Sequence, residues 1–129
     1  MSDQFPPPAP DGEILDFGQL EEMRGMPGRH SASLLSEFVA LFMREEPARI
    51  VELRRLAGTG QWSELKRLAH SLAGSCAMLG ANEMQRAALK LQAAAGSDRQ
   101  AEVALRLENV EAAWKRVQES LARHGLLPK

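Results

Sequence analysis

Residues 68–81 read Leu-Ala-His-Ser-Leu-Ala-Gly-Ser-Cys-Ala-Met-Leu-Gly-Ala, and their spacing sets the fold class. Leu65, Leu68, Leu72, Cys76 and Leu79 recur every three or four positions, the period of one helix face. His70 is two residues from both Leu68 and Leu72, about 160° from each on a helix turning 100° per residue. The imidazole therefore points away from the core. Its own face reads Ser63, Lys66, Arg67, His70, Gly74, Ala77, with two cations one turn below and small residues above. A helical side chain leans over the turn N-terminal to its own Cα, so the residue at 74 would cover the ring. That residue is glycine, which costs about 1 kcal/mol in a helix relative to alanine. Gly74 is expected to keep the imidazole accessible. A solvated histidine without a task, and a small-residue face used for close helix contact, are the plain alternatives.

Working outward, the same periodicity covers the chain. An N-terminal segment carries Ile14, Leu15, Phe17, Leu20 and Met23, expected as one short helix covering an end of the bundle before residues 25–28 break it. Residues 31–57 place Leu34, Phe38, Leu41, Phe42, Ile50, Leu53 and Leu56 on one stripe, with Ser31 or Ser33 as N-cap. Pro47 is expected to bend or interrupt that helix. The His70 helix spans 61–79, stopped by Gly80, and Asn82 is a candidate N-cap for a helix over 82–95 that buries Met84, Ala87, Ala88 and Leu91. A last helix over 99–123 carries Val103, Leu107, Val110, Trp114, Val117 and Leu121 at alternating steps of four and three. No two-residue alternation marks a strand. The expected fold is all-α: an up-and-down antiparallel four-helix bundle with a short additional N-terminal helix. It divides into a disordered Pro-rich tail (1–12), the bundle (13–124) and a C-terminal tail (125–129).

Composition narrows the function. In 129 residues, 16 basic and 17 acidic side chains leave a net charge of −1, so no basic excess points to nucleic acid or an anionic membrane. A helix-turn-helix around 79–82 lacks a recognition helix rich in Arg and Lys. No apolar run has membrane-spanning length, and the acidic, proline-rich N-terminus is no signal peptide. The cytoplasm is the expected compartment. Cys76, the single cysteine, reads as a buried small hydrophobe. His30 and His124 have no Cys or carboxylate partners at ligand spacing, so no metal site is expected.

A short turn after Leu79 makes the flanking helices antiparallel neighbours, with residues equally far from the turn at equal height. Centred near residues 80 and 81, that turn sets Gln92 level with His70. A glutamine carbonyl accepting from Nδ1–H would fix the tautomer and leave the Nε2 lone pair outward as a nucleophile. An ordinary boundary glutamine is the plain alternative.

The motif Ala69-His70-Ser71-Leu72-Ala73-Gly74-Ser75, followed by Leu79-Gly80-Ala81, is similar to the A-H-x-L-K-G-S…L-G-A signature of the histidine-containing phosphotransfer (HPt) family. Leu41-Phe42, residues 45–49 and Leu53 resemble that family's second helix, and Gln92 falls where many members carry the glutamine that bonds the active imidazole. The resemblance runs from about residue 14 to 121. It implies that His70 accepts a phosphoryl group from an aspartyl phosphate on a response-regulator receiver domain and passes it through Nε2 to another receiver aspartate. It implies no cofactor and no nucleotide site in this chain: the receiver brings Mg²⁺. Expected partners are receiver domains and a hybrid histidine kinase, with the chain a freestanding monomer. One departure matters. The family usually carries lysine three residues after the histidine, and here that position is Ala73. Lys66 or Arg67 is the candidate replacement for its charge on phosphoryl oxygens. The partner supplying all the charge, or a degenerate site, are the other options. A bundle that binds receivers or kinases without carrying phosphate is the alternative function.

Overall fold

The computed structural model describes residues 11–29, 33–96 and 100–128. Six helices form a single all-α bundle, and among the described residues there is no strand: α1 (Asp11–Ile14), α2 (Phe17–Arg24), α3 (Leu34–Gly58), α4 (Trp62–Leu79), α5 (Asn82–Ala94) and α6 (Gln100–Arg123). Each long helix packs on the next, α4 on α5 most extensively, and α3 returns onto α6. No described helix is long and apolar enough to cross a membrane.

The leading segment holds two helices where one was expected. Asp16 separates them in an extended conformation, and its carboxylate accepts from the Gln19 backbone N–H at 3.2 Å, satisfying an otherwise orphan donor of α2. Ile14, Leu15, Leu20 and Met23 are buried as expected, while Phe17 is partly buried and stacks on His124.

Ser33 caps α3, its hydroxyl accepting from the Leu35 and Ser36 N–H groups; Ser31 lies outside the described residues. The buried line of α3 is Leu35, Val39, Phe42, Glu46, Ile50, Leu53 and Leu56. The expected stripe was one residue out at its N-terminal end. Leu35 is eighteen residues before Leu53, five whole turns, whereas Leu34 is rotated about 100° from that line. Leu34 and Phe38 accordingly sit partly buried at its edge, and Leu41 is 38 % exposed. Nor does Pro47 interrupt α3, which continues from Leu34 to Gly58 with the proline inside it. The ring lies on the exposed side, where solvent can take up the carbonyl bond that a proline nitrogen cannot donate.

α4 ends as its sequence requires. Gly80 adopts φ 75°, its N–H and that of Ala81 donate to Ala77 O and Cys76 O, and the chain enters α5 after two residues. Asn82 does not cap α5. It is the first helical residue, and Ala81 occupies the cap position with no side-chain hydrogen bond, because the turn closes one residue earlier. The core lines of α5 and α6 fall as expected, except that Ala87 and Trp114 are partly buried. Trp114 packs edge-on against Phe42 with centroids 5.5 Å apart, joining α6 to α3.

Candidate functional site

The buried line of α4 is Leu65, Ala69, Leu72, Ala73, Cys76 and Leu79, with Leu68 at its edge. His70 lies exposed in mid-helix, and Ser63, Lys66, Arg67 and Gly74 are exposed on the same face. A Cβ added at Gly74 would meet no atom within 4 Å. The glycine is therefore no close helix contact, and the space above the imidazole is open.

Lys66 and Arg67 part company. The Lys66 ammonium lies beside Gly96, whose added Cβ would stand 3.6 Å from both Cε and Nζ and 3.9 Å from Trp62 Cβ. Lys66 thus reaches the turn after α5, a helix with no basic residue in its last turn, and supplies positive charge at that C-terminus. Arg67 has no ion pair or hydrogen bond among the described residues.

Since Trp62 and Lys66 face the end of α5, the residues continuing their edge of α4, Ala69 and Ala73, face α5 as well. Ala73 is 4 % exposed. The two-residue turn puts Gln92 within a residue of the height of His70, partly buried on its own helix. Among the described residues no hydrogen bond joins the Gln92 amide to the imidazole. His30 lies outside the described residues. His124 packs its ring against Phe17 with centroids 4.4 Å apart, and its Nδ1 donates to Ser120 O at 2.8 Å. No group of three or more His, Cys, Asp or Glu among the described residues could hold a metal ion.

Two features escaped sequence reasoning. On the α3 side of α4, Arg49 donates to Ser75 Oγ at 2.7 Å and to the Glu46 carboxylate at 3.3 Å, with Glu45 at 3.7 Å. Glu46 is 1 % exposed. Burial raises its pKa above the usual carboxylate value, and the Arg49 charge and hydrogen bond oppose that rise. The signal was present: Glu46 falls seven residues before Leu53, on the core line of α3. Cys76 lies in the same region, and burial, helped by the Glu46 charge, pushes its thiol far above the ordinary range. Burial and the raised pKa both favour the neutral thiol over the nucleophilic thiolate. The second feature is Gln19, whose side-chain nitrogen donates to Ala77 O and Met78 O, both at 2.8 Å.

The imidazole is thus exposed in mid-helix on an all-α bundle, beneath a glycine that leaves it uncovered, and is not enclosed in a pocket. The Hpt domain family model matches residues 37–124, over half of the chain, and the protein belongs to that family. Its general role is histidine phosphotransfer in a phosphorelay. The match takes in His70 and leaves α1 and α2 outside it. No curated protein and no solved structure matches the chain.

Proposed function

We propose that His70 is the phosphoacceptor of a relay carrier fed by a response-regulator receiver domain. In the step, the Nε2 lone pair attacks the phosphorus of the receiver's aspartyl phosphate, the P–O bond to the aspartate breaks, and the carboxylate leaves with the bonding electrons. The reverse chemistry on a second receiver aspartate discharges the carrier. The observation that carries this reading is the exposed imidazole under the open space at Gly74, which admits a large partner without rearrangement of the fold.

Each remaining residue has a part. Gln92, level with His70, is the group to accept from Nδ1–H and leave Nε2 outward, through a change of side-chain rotamer when a partner docks. Of the two cations below the ring, Arg67 supplies the larger share of charge toward phosphoryl oxygens, because Lys66 is drawn to the end of α5. The receiver brings Mg²⁺ and the other catalytic groups. The four long helices, as an up-and-down antiparallel bundle, serve as a rigid post for this face.

A second reading is favoured by one observation. Position 73 is an alanine turned into the α4–α5 seam, so the charge usual there is missing, as it would be in a bundle that binds receivers without carrying phosphate. Incubation with a phosphorylated receiver and Mg²⁺ decides between the two. A carrier acquires an acid-labile, base-stable phosphate that His70→Gln does not. A binding-only bundle stays unlabelled while forming the complex.

A further inference from the structure

We infer that Leu89 on α5 is the residue that selects the docked receiver, and that the receiver surface it fits is apolar: an aliphatic or aromatic side chain beside the phosphoaspartate. The inference rests on the proposal that a receiver docks over His70.

Helix register places Leu89 beside the imidazole. Lys66 lies against Gly96 and the turn after α4 is two residues long, which sets Gln92 level with His70. Leu89, three residues nearer the turn, is then level with Ala73. Glu83 gives the direction. It pairs with Arg116 of α6 at 2.8 Å, so its flank of α5 faces α6. The buried line Met84, Ala88 and Leu91 divides the helix, and at 100° per residue Leu89 falls on the flank opposite Glu83, toward α4. Packed helix axes are about 8–10 Å apart, so Leu89 stands one helix to the side of His70 and about 4.5 Å further along. A standard protein interface covers about 800 Å² on each partner, equivalent to a disc of roughly 16 Å radius. A receiver centred on His70 with a footprint of that size covers Leu89.

The composition of this surface says what it takes. From Leu68 to Ala81 there is no Asp, Glu, Lys or Arg, in a chain of which 26 % of residues are charged. The α4 flank of α5 adds Gln85, Leu89 and Gln92, all uncharged. At the α3 border the charges are already engaged, Arg49 with Glu45, Glu46 and the Ser75 hydroxyl. Cations return only below the ring, at Lys66 and Arg67. Above it, Leu89 is 42 % exposed on the α5 side and Met78 58 % exposed on the α3 side. A partner gains by burying apolar surface there. A partner that would strand a charge against it is rejected.

Ala73 keeps the leucine open. It is 4 % exposed in the α4–α5 seam and level with Leu89, so a longer side chain at 73 has to leave the seam beside the leucine and cover it. The alanine thus gives up a charge near the phosphoryl group and gains an apolar contact for the receiver.

The test uses the full chain, its Leu89→Gln, Leu89→Met and Ala73→Lys variants, a panel of phosphorylated receivers, and phosphoramidate as a small donor. With phosphoramidate, His70 Nε2 attacks phosphorus, the P–N bond breaks with its electrons going to nitrogen, and ammonia leaves, so no docking surface is involved. Expected for Leu89→Gln is a fall of about three- to tenfold in kcat/KM with the receivers that serve the wild type best, carried by KM and unchanged as salt rises. Leu89→Met restores it, and phosphoramidate labels the variants within about twofold of wild type. Ala73→Lys also raises KM with those receivers, although it adds a cation. Leu89 is exposed, so Leu89→Gln keeps the test decisive should a lysine at buried position 73 unfold the chain. Receiver transfer unchanged by Leu89→Gln overturns the inference, as does an equal loss with phosphoramidate, which would place the damage at the histidine. Faster transfer in Ala73→Lys overturns it too, by showing that the missing charge limits the wild type. So does a wild-type dimer in sedimentation that Leu89→Gln dissociates with transfer undiminished, which would make a second copy the occupant. Should no receiver label the wild-type chain, the docking proposal itself fails first and takes this one with it.

Discussion

Arg49 on α3 donates to the Ser75 hydroxyl on α4 at 2.7 Å while also holding the buried Glu46 carboxylate at 3.3 Å. One guanidinium thereby ties the His70 helix to its neighbour and answers a charge in the core. Removing it leaves that carboxylate unpaired, a defect worth about 3–5 kcal/mol for a fully buried pair. Arg49 is a quarter exposed, so Arg49→Ala is expected to cost about 2–3 kcal/mol, with relief from protonation of Glu46. Denaturant unfolding measures it, and a loss below about 0.5 kcal/mol would show that the pair contributes little.

The same carboxylate gives the fold a pH signature. Its pKa is raised above 4.5 in the folded chain, so the folded state holds this proton more tightly than the unfolded one. Its contribution is then fully present below the unfolded value and is lost as pH rises through the folded one. Glu46→Gln is expected to flatten this fall, seen as a smaller drop in Tm between pH 4 and 7 (about the span of a shifted carboxylate) than in wild type. An unchanged slope would assign the pH dependence to other groups.

Gly74 separates stability from access. Since an added Cβ meets nothing within 4 Å, Gly74→Ala should stabilise the chain by about 0.5–1 kcal/mol. A leucine there leans back over the imidazole, and labelling from a receiver should fall about tenfold or more with the far-UV circular dichroism unchanged. Full labelling of Gly74→Leu would mean that the docked partner approaches from elsewhere.

The two cations below the ring should behave differently. Arg67→Ala is expected to slow transfer about two- to fivefold, the scale of an exposed charge. Lys66→Ala should act on stability, by about 0.3–1 kcal/mol through the end of α5, with transfer little altered. Single-turnover kinetics and thermal unfolding on both variants check the split; equal kinetic losses would refute the assignment.

Much of this was legible in the sequence because helix faces repeat and caps are local. The outward direction of His70, the Gly80 stop and a serine cap for α3, at 31 or 33, each follow from a few neighbouring residues. Leu41 misled because in α3 two adjacent lines, 34/38/41 and 35/39/42, are both apolar, and the distant Leu53 decides between them. The break at Asp16 was missed because a single polar residue between helical neighbours fixes it, and the Asn82 cap failed because the backbone turn at Gly80 closes one residue earlier, leaving Ala81 at the cap position. At the site, the height of Gln92 follows from turn length, but the turning of its amide does not. Lys66 beside Gly96, Arg49 against Ser75 and Gln19 on Ala77 join residues 26 to 58 positions apart. No periodicity encodes such pairs.

The most direct measurement follows phosphate from a labelled donor receiver to a second receiver with this chain as the intermediary. The account predicts that the second receiver becomes labelled in the presence of the wild-type chain, with an acid-labile phosphate passing transiently through it, and that His70→Gln abolishes both. Label reaching the second receiver equally well with His70→Gln, or a wild-type chain that binds both receivers and is never labelled, would contradict it.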